Sequence, residues 1–277
     1  MSELKPENEH RCFGGRVGFY RHESESCGAM GFSVFLPPKA KDAPVLFYLA
    51  GLTCTEETFM VKGGAQRLAA ELGIALVAPD TSPRGTAYKG ATDDWDFGEG
   101  AGFYLDATEK PWHGRFQMAT YVTEELPELI GKQFPVNLDR MGIFGHSMGG
   151  HGALTLALKK PELYRSVSAF APIVAPCEVP WGKKAFAGYL GEDEEAWAAH
   201  DACRLLEQGT FPDKILIDQG MKDQFLAEQL VPERFEEAAD AAGQDYALRR
   251  HDGYDHGYYF VSTFMDDHLR HHAERLC

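Results

Sequence analysis

The chain is poor in positive charge and contains no basic block. Lys and Arg number 27 against 42 Asp and Glu, so the formal net charge at pH 7 is −15. Nucleic acids and anionic membrane surfaces attract proteins through clustered positive charge. This charge balance argues against both as partners.

Long apolar runs and paired cysteines are also missing. No stretch approaches the roughly 20 apolar residues that a membrane-spanning helix needs. The polar, acidic start MSELKPENEH lacks the charged-then-apolar layout of a signal peptide. We therefore expect a cytoplasmic protein with free thiols. The cysteines lie far apart and form no CxxC pair: Cys12, Cys27, Cys54, Cys177, Cys203 and Cys277.

Internal repeats, low-complexity tracts and flexible linkers are absent as well. The length of 277 residues and the hydrophobic fraction of 44% suffice to bury a large core. We expect a single domain over residues 1–277.

Short apolar runs that end in turn residues predict the strands of this domain. Most are continuous rather than alternating, which suits a parallel sheet covered by helices on both faces. Helical periodicity between the runs predicts an α/β class, with a kink at Pro127 in one helix. Residues 16–24 and 31–38 predict an antiparallel pair at the N-terminal edge of the sheet. The six runs are Val45–Gly51, Ile74–Asp80, Met141–Ser147, Ser166–Ile173, Lys214–Gly220 and Tyr246–Gly253.

The pentapeptide Gly145-His146-Ser147-Met148-Gly149 fits G-x-S-x-G between a predicted strand and a predicted helix. A serine at the tip of so tight a turn brings its neighbours close, so the positions two before and two after it must be small. The helix N-terminus would also present free N–H groups to an oxyanion. Ser147 is therefore the candidate nucleophile; the alternative is a passive serine in a glycine-rich turn.

A serine nucleophile needs a histidine base, and this type of fold orders the triad as Ser, acid, His along the chain. His256 lies in the turn-rich segment DGYDHGYYF directly after the last predicted strand. It is the favoured base, because that loop can reach over Ser147. Of the other late histidines, His251 is expected inside the last strand. A solvated end of the final helix is expected to carry His268, His271 and His272.

The acid is expected just beyond the preceding strand. The segment KILIDQGMKDQF offers Asp218 and Asp223. Asp218 is still within the predicted strand, whereas Asp223 follows Gly220 in the loop at the carboxyl edge, where sites of open α/β sheets collect. Asp223 is therefore favoured over Asp218.

The oxyanion hole needs two backbone N–H donors. One is expected from Met148, after the nucleophile, and the other from Leu52, in the loop after an early strand. Cys54 in the same loop has two interpretations: a thiol near the site that reacts with thiol reagents, or a small buried hydrophobe. No motif sets Cys54 against His256, so we do not expect it to be the nucleophile.

Longer segments closely resemble one family, S-formylglutathione hydrolase of the esterase D group. They are LAGLTCTEETF, APDTSPRG, DFGEGAGFYLDAT, GHSMGGHGALTLALKKPELYRSVSAFAPI, DQGMKDQF and HDGYDHGYYF. The resemblance implies an α/β-hydrolase fold and a cytoplasmic homodimer without cofactor or metal. It also implies hydrolysis of S-formylglutathione to glutathione and formate in formaldehyde detoxification.

The resemblance also implies residue roles. It assigns the triad to Ser147, Asp223 and His256, and the oxyanion donors to Leu52 and Met148. It further implies two residues near the substrate, Cys54 and Trp181. Because glutathione is anionic and the chain is acidic, local cations would have to offset the field. Candidates for this are Lys62, Arg84, Lys89, Lys183 and Lys184.

Three rival hypotheses remain. The chain could be a general carboxylesterase or acyltransferase for which S-formylglutathione is a minor substrate. It could bind a metal through the histidine-rich segments HDGYDH and HLRHH, although their spacing fits no zinc motif. It could also be a catalytically inactive hydrolase fold used for binding.

Overall fold

One mixed sheet organises the chain. The computed structural model describes residues 4–277, so the first three residues of the predicted domain and of the polar N-terminal segment lie outside it. Nine strands of the described part form a sheet in the order β1-β2-β3-β5-β4-β6-β7-β8-β9. Their bounds are Asn8–Cys12 (β1), Gly15–Ser24 (β2), Gly28–Leu36 (β3), Ala43–Leu49 (β4), Ala75–Pro79 (β5), Val136–His146 (β6), Ser166–Phe170 (β7), Ile215–Gly220 (β8) and Tyr246–His251 (β9).

The strand directions confirm the predicted fold class. Strands β5, β4, β6, β7, β8 and β9 pair in parallel, whereas β1, β2 and β3 join them antiparallel. Each of the six predicted runs overlaps one strand, although β4 and β6 begin before their runs. The predicted N-terminal pair exists as β2 and β3, but its place at the edge is wrong, because β1 covers the outer side of β2. The sequence of β1, NEHRC, is polar and mostly exposed, so it carries no apolar pattern.

Helices pack on both faces of the sheet between the strands. None of them, within residues 4–277, combines the length and apolar character required to cross a membrane. The α-helices are Glu56–Lys62 (α1), Gln66–Leu72 (α2), Met118–Thr120 (α3), Leu126–Gln133 (α4), Met148–Lys159 (α5), Pro180–Leu190 (α6), Glu194–Trp197 (α7), Ala202–Leu206 (α8), Pro232–Ala242 (α9) and Tyr258–Leu276 (α10).

Pro127 changes the helix type rather than ending the helix. The chain passes from α3 through a π-helical segment, Tyr121–Glu125, into α4. Pro127 lies at the start of α4, just after the π-helical segment, and it has no N–H to donate to the turn before it. At the place where the sequence predicts a kink, the structure has a π-helical turn just before Pro127.

The strand order brings four connections to the same edge of the sheet. After β4 the chain turns back to β5 on one side, and later enters β6 on the other side of β4. Such a switch point leaves a crevice at the carboxyl ends of the strands. Leu52 follows β4 and Ser147 follows β6, while the loops after β8 and β9 carry Asp223 and His256. The topology therefore explains why residues distant in sequence meet.

Two histidines of α10 are in the core, which corrects the prediction that His268 and His272 lie on a solvated helix end. Both are fully buried. The His272 ring forms hydrogen bonds with Ser166 Oγ at 2.6 Å and Ser168 Oγ at 2.8 Å, both on β7. His268 Nδ1 is 2.8 Å from the same Ser168 hydroxyl. Polar partners on the strand thus allow α10 to bury its imidazoles.

These histidines make stability depend on acid pH. Burial, and then the neighbouring histidines, hold the pKa of His272 well below its ordinary value. The unfolded chain therefore takes up a proton below about pH 6.5 that the folded chain does not. The stabilisation is complete above that pH and declines as the pH falls, by about 1.4 kcal/mol per unit for this group.

We expect His272→Gln, which keeps polar atoms beside both serines, to reduce this acid sensitivity. Between pH 7 and pH 5 the loss of unfolding free energy should be about 2 kcal/mol smaller than in the parent chain. Urea unfolding at the two pH values measures it. Equal losses in the two proteins would contradict the assignment.

Candidate active site

Ser147 lies on a strained turn between β6 and α5. Its backbone angles are φ 59° and ψ −120°, a region that residues with a side chain seldom adopt. Three backbone hydrogen bonds hold it: Ser147 N–H donates to Phe170 O at 2.9 Å, and Ser147 O accepts from His151 at 3.0 Å and Ile173 at 3.4 Å. The neighbouring strand β7 thus fixes the turn.

The flanking glycines leave no room for a side chain. A Cβ on Gly149 would overlap the carbonyl of Leu49, and one on Gly145 would overlap the carbonyl of Gly149. The helix start therefore packs directly on the end of β4. This is the steric requirement that the pentapeptide motif predicts.

Asp223 and His256 form a hydrogen-bonded pair. His256 Nδ1 is 2.5 Å from Asp223 Oδ2, and the carboxylate side chain is fully buried. Asp223 Oδ1 accepts the backbone N–H of Phe225 at 2.8 Å, and Oδ2 also accepts the side-chain amide of Gln219 at 3.3 Å. A buried carboxylate requires such donors, and this one is aimed at the imidazole.

The loops that carry the acid and the base are bonded to each other. Met221 N–H donates to His251 O at 2.9 Å, and Lys222 N–H donates to Tyr254 O at 2.8 Å. A Cβ on Gly220 would press on the carbonyl of Tyr254, so glycine is needed for this approach. These contacts hold the two loops against each other.

His146 connects this pair to the serine turn. Its buried ring lies 4.6 Å from the His256 ring, centroid to centroid, and it precedes Ser147 in the chain. Burial, and then the nearby His256, hold the pKa of His146 well below its ordinary value. Ser147 Oγ and His256 Nε2, both in the described part, do not form a hydrogen bond. Such nucleophile–base contacts often tighten only with substrate.

Two backbone N–H groups belong to residues at the serine turn: Met148 follows Ser147, and Leu52 follows Gly51, at which an added Cβ would be 3.1 Å from Ser147 Cβ. Met148 is the first residue of α5, so its N–H has no carbonyl one turn earlier to bind. In the loop after β4, Thr53 N–H donates to Gly100 O and Cys54 N–H donates to Gly51 O. The Leu52 N–H donates to no carbonyl between residues 4 and 277. The predicted donors Leu52 and Met148 thus both have N–H groups available for an oxyanion.

Cys54 is half-buried, and its backbone carbonyl anchors the same loop. That carbonyl accepts from Thr81 Oγ1 at 2.7 Å and from Arg84 Nη2 at 2.8 Å. Burial raises the pKa of the Cys54 thiol. A thiol held protonated is a poor nucleophile, which agrees with the expectation that sulfur does not attack the substrate.

An aromatic row leads from the surface to His256. Trp95, which is 56% exposed, meets Trp181 edge-on at 5.5 Å between ring centroids. Trp181 packs on Phe225 at 4.6 Å, and Phe225 meets the His256 ring at 5.0 Å. Phe225 thus connects the predicted substrate-side residue Trp181 to the His256 ring. Sequence reasoning missed Phe225, whose position two residues after the acid was an available signal.

Two of the predicted cations are already paired. Arg84 binds both oxygens of Asp80, at 3.0 Å for each carboxylate oxygen. Lys184 contacts Asp94 at 3.0 Å and Asp96 at 2.5 Å. Lys62, Lys89 and Lys183 are exposed. The local positive charge near the site is therefore partly neutralised by the protein itself.

A second Ser–His–Asp arrangement lies in the core. Ser168 contacts His268, and His268 Nε2 is 3.3 Å from Asp218 Oδ2. Burial alone would raise the pKa of Asp218, but hydrogen bonds from His268 and Arg249 outweigh it and lower that pKa. All three triad-like side chains are inaccessible to solvent. A substrate could not reach this serine, so the arrangement is structural.

The histidine-rich segments do not form a metal centre. Between residues 4 and 277, no three His, Cys, Asp or Glu side chains converge as metal ligands would. This geometry gives the metal-binding hypothesis no support.

Comparisons with known proteins identify relatives of this chain. The family described as "Putative esterase" matches residues 24–271. The S-formylglutathione hydrolase of Rattus norvegicus is 53% identical over 279 residues, covering 99% of each chain. That of Paracoccus denitrificans (strain Pd 1222) is 54% identical over 274 residues, covering 97% of each.

The chain belongs to the S-formylglutathione hydrolase family of esterases. A solved structure of an S-formylglutathione hydrolase from Agrobacterium tumefaciens has a TM-score of 0.96 to this chain at 53% identity. It covers 99% of this chain and 100% of its own. The family resemblance expected from the sequence is therefore confirmed over nearly the whole length.

The turn at Ser147 leaves no space for a methyl group at Gly149, so adding one should destabilise the fold. We expect Gly149→Ala to lower the unfolding free energy by about 3 kcal/mol, because the new Cβ overlaps Leu49 O. Gly209→Ala is the matched control: its Cβ would meet nothing within 4 Å. Thermal unfolding compares them, and equal melting temperatures would contradict the packing argument.

Proposed function

We propose that this protein is a serine hydrolase that cleaves the thioester S-formylglutathione to glutathione and formate. The observation that carries the proposal is the buried Asp223 carboxylate, 2.5 Å from His256 Nδ1, in a loop beside the Ser147 turn. The substrate is the one named for full-length relatives at 53–54% identity. We assign Ser147 as nucleophile, His256 as base and Asp223 as the residue that orients the base.

In the first half-reaction, Ser147 Oγ attacks the formyl carbon while His256 Nε2 takes the hydroxyl proton. Asp223 holds the ring with Nδ1 protonated and stabilises the imidazolium that forms. The Leu52 and Met148 N–H groups bind the tetrahedral oxyanion. The carbon–sulfur bond then breaks, and the glutathione sulfur leaves with the proton from His256. A thiol of pKa about 8.5 is a good leaving group, so the acid needs to assist little.

In the second half-reaction, water attacks the formyl ester of Ser147. His256 takes a proton from that water, the same N–H groups bind the second oxyanion, and the ester bond breaks. The proton returns to Ser147 Oγ and formate leaves. Every group that these steps use is a residue of the chain or water.

The finer expectations belong to the same proposal. We propose one catalytic domain over residues 1–277, a homodimer, and a cytoplasmic role in formaldehyde detoxification. Cys54 and Trp181 would lie beside the bound substrate. Two observations support this: Cys54 is in the same loop as Leu52, and the aromatic row runs through Trp181.

The substrate assignment is tested by kinetics. We expect kcat/KM for S-formylglutathione to exceed that for p-nitrophenyl acetate by at least about a hundredfold, the scale on which a fitted site discriminates. Acetyl and lactoyl glutathione thioesters measure the size of the acyl pocket in the same assay. A preference for the p-nitrophenyl ester would favour the general carboxylesterase hypothesis.

Substitutions at two aspartates test the assignment of the acid. Asp223→Asn should lower kcat by about 10⁴, as loss of the correct imidazole tautomer does in serine proteases. Asp218→Asn leaves Arg249 without its buried partner, so it should mainly lower stability. Ser147→Ala is the reference for complete loss of turnover. If Asp218→Asn is the more damaging to kcat at equal folded fraction, the acid is misassigned.

A further inference from the structure

Gln219 is a fully buried amide next to the Asp223 carboxylate. Its Nε2 group donates to Asp223 Oδ2 at 3.3 Å and to Gly220 O at 3.0 Å. Asp223 Oδ2 is also the oxygen that meets His256 Nδ1. The amide and the imidazole therefore share one acceptor atom.

The other end of this amide has no partner. Among residues 4–277, Gln219 Oε1 accepts no hydrogen bond although it is buried. The reverse orientation is worse, because Oε1 would then face the Asp223 carboxylate and Gly220 O with no proton between them. An unsatisfied buried carbonyl is destabilising, and native chains retain such groups mainly where the site requires them.

From this geometry we propose that Gln219 is a positioning residue of the hydrolase. It fixes the Asp223 carboxylate through Oδ2 and withdraws negative charge from the oxygen that faces His256. The proposal rests on the proposed function, in which Asp223 and His256 orient and perform proton transfer. Gln219 does not touch the substrate, so it should act on kcat and on the pH profile rather than on KM.

The acid limb of kcat/KM is a usable readout because few titratable groups face the His256 ring. Among residues 4–277, the titratable side chains that hydrogen-bond to this ring or pack on it are Asp223 and His146. His146 stays neutral, since burial holds its pKa well below the ordinary value. Asp255 on the same loop points its carboxylate at Gly257 N–H instead, at 2.8 Å. A change in the acid limb therefore reports on the Asp223–His256 pair.

The test is Gln219→Met, which keeps the length of the side chain and removes the donor. We expect kcat for S-formylglutathione to fall about tenfold, with KM unchanged within about twofold. Loss of the donor leaves more negative charge on Asp223 Oδ2, and this charge favours the protonated His256 ring. The acid limb of kcat/KM should therefore move up by about half a pH unit.

Gln244→Met is the matched control. Gln244 is a buried amide away from the site, and its three hydrogen bonds all join backbone groups, of Phe211, Asp213 and Asp245. The Gln244→Met substitution makes the same chemical change. It should lower the free energy of unfolding but leave the acid limb of kcat/KM unchanged. Urea unfolding reports the folded fraction of both variants.

Gln219→Asn keeps the proposal testable if the methionine variant folds poorly. It retains an amide but shortens it by one carbon, so the donor no longer reaches Asp223. The acid limb should move in the same direction. An unmoved limb and an unchanged kcat in a folded Gln219 variant would overturn the proposal, provided that Asp223→Asn is inactive. If Asp223→Asn keeps the activity of the parent chain, the acid is misassigned and the role of Gln219 fails with it, whereas an active Ser147→Ala would contradict the proposed function itself.

Discussion

The backbone at Ser147 is held in a conformation that only its neighbours make stable. The turn has φ 59° and ψ −120°, and hydrogen bonds to β7 and α5 fix it in place. Gly145 and Gly149 permit the helix to start against the end of β4. Because the same packing sets the position of the hydroxyl, the Met148 N–H and the loop with Leu52, loss of this turn would remove the proposed nucleophile and oxyanion hole together.

Neighbouring residues of strand β8 belong to two different networks. Asp218 is part of a structural network, and Gln219 contacts the proposed catalytic Asp223. Successive residues of a strand point to opposite faces. Asp218 meets His268 of α10 and Arg249 of β9, whereas Gln219 turns towards the Asp223 loop. The Asp218 and His268 side chains of the first network are fully buried, and they join α10 to the sheet. The second ends at His256, which remains partly exposed. Access, rather than the presence of Ser, His and Asp, distinguishes the two sets.

The sequence allowed the sheet core and the site loops to be predicted because both depend on local signals. Apolar runs mark the central strands, and small residues must flank Ser147. The edge strand β1 has neither signal, since it is polar and exposed. His272 could not be recognised as buried, because its partners Ser166 and Ser168 lie about a hundred residues away and look ordinary. The contact of Gln219 with Asp223 depends on the path of a loop, which no periodicity specifies.

The most direct measurement of the central claim is covalent labelling with a fluorophosphonate, followed by peptide mass spectrometry. Such a reagent phosphonylates a serine that a base activates beside an oxyanion hole. The account predicts a label on Ser147 that disappears in Ser147→Ala and becomes much slower in His256→Ala. A label on Ser166 or Ser168, or unchanged labelling without Ser147, would contradict it.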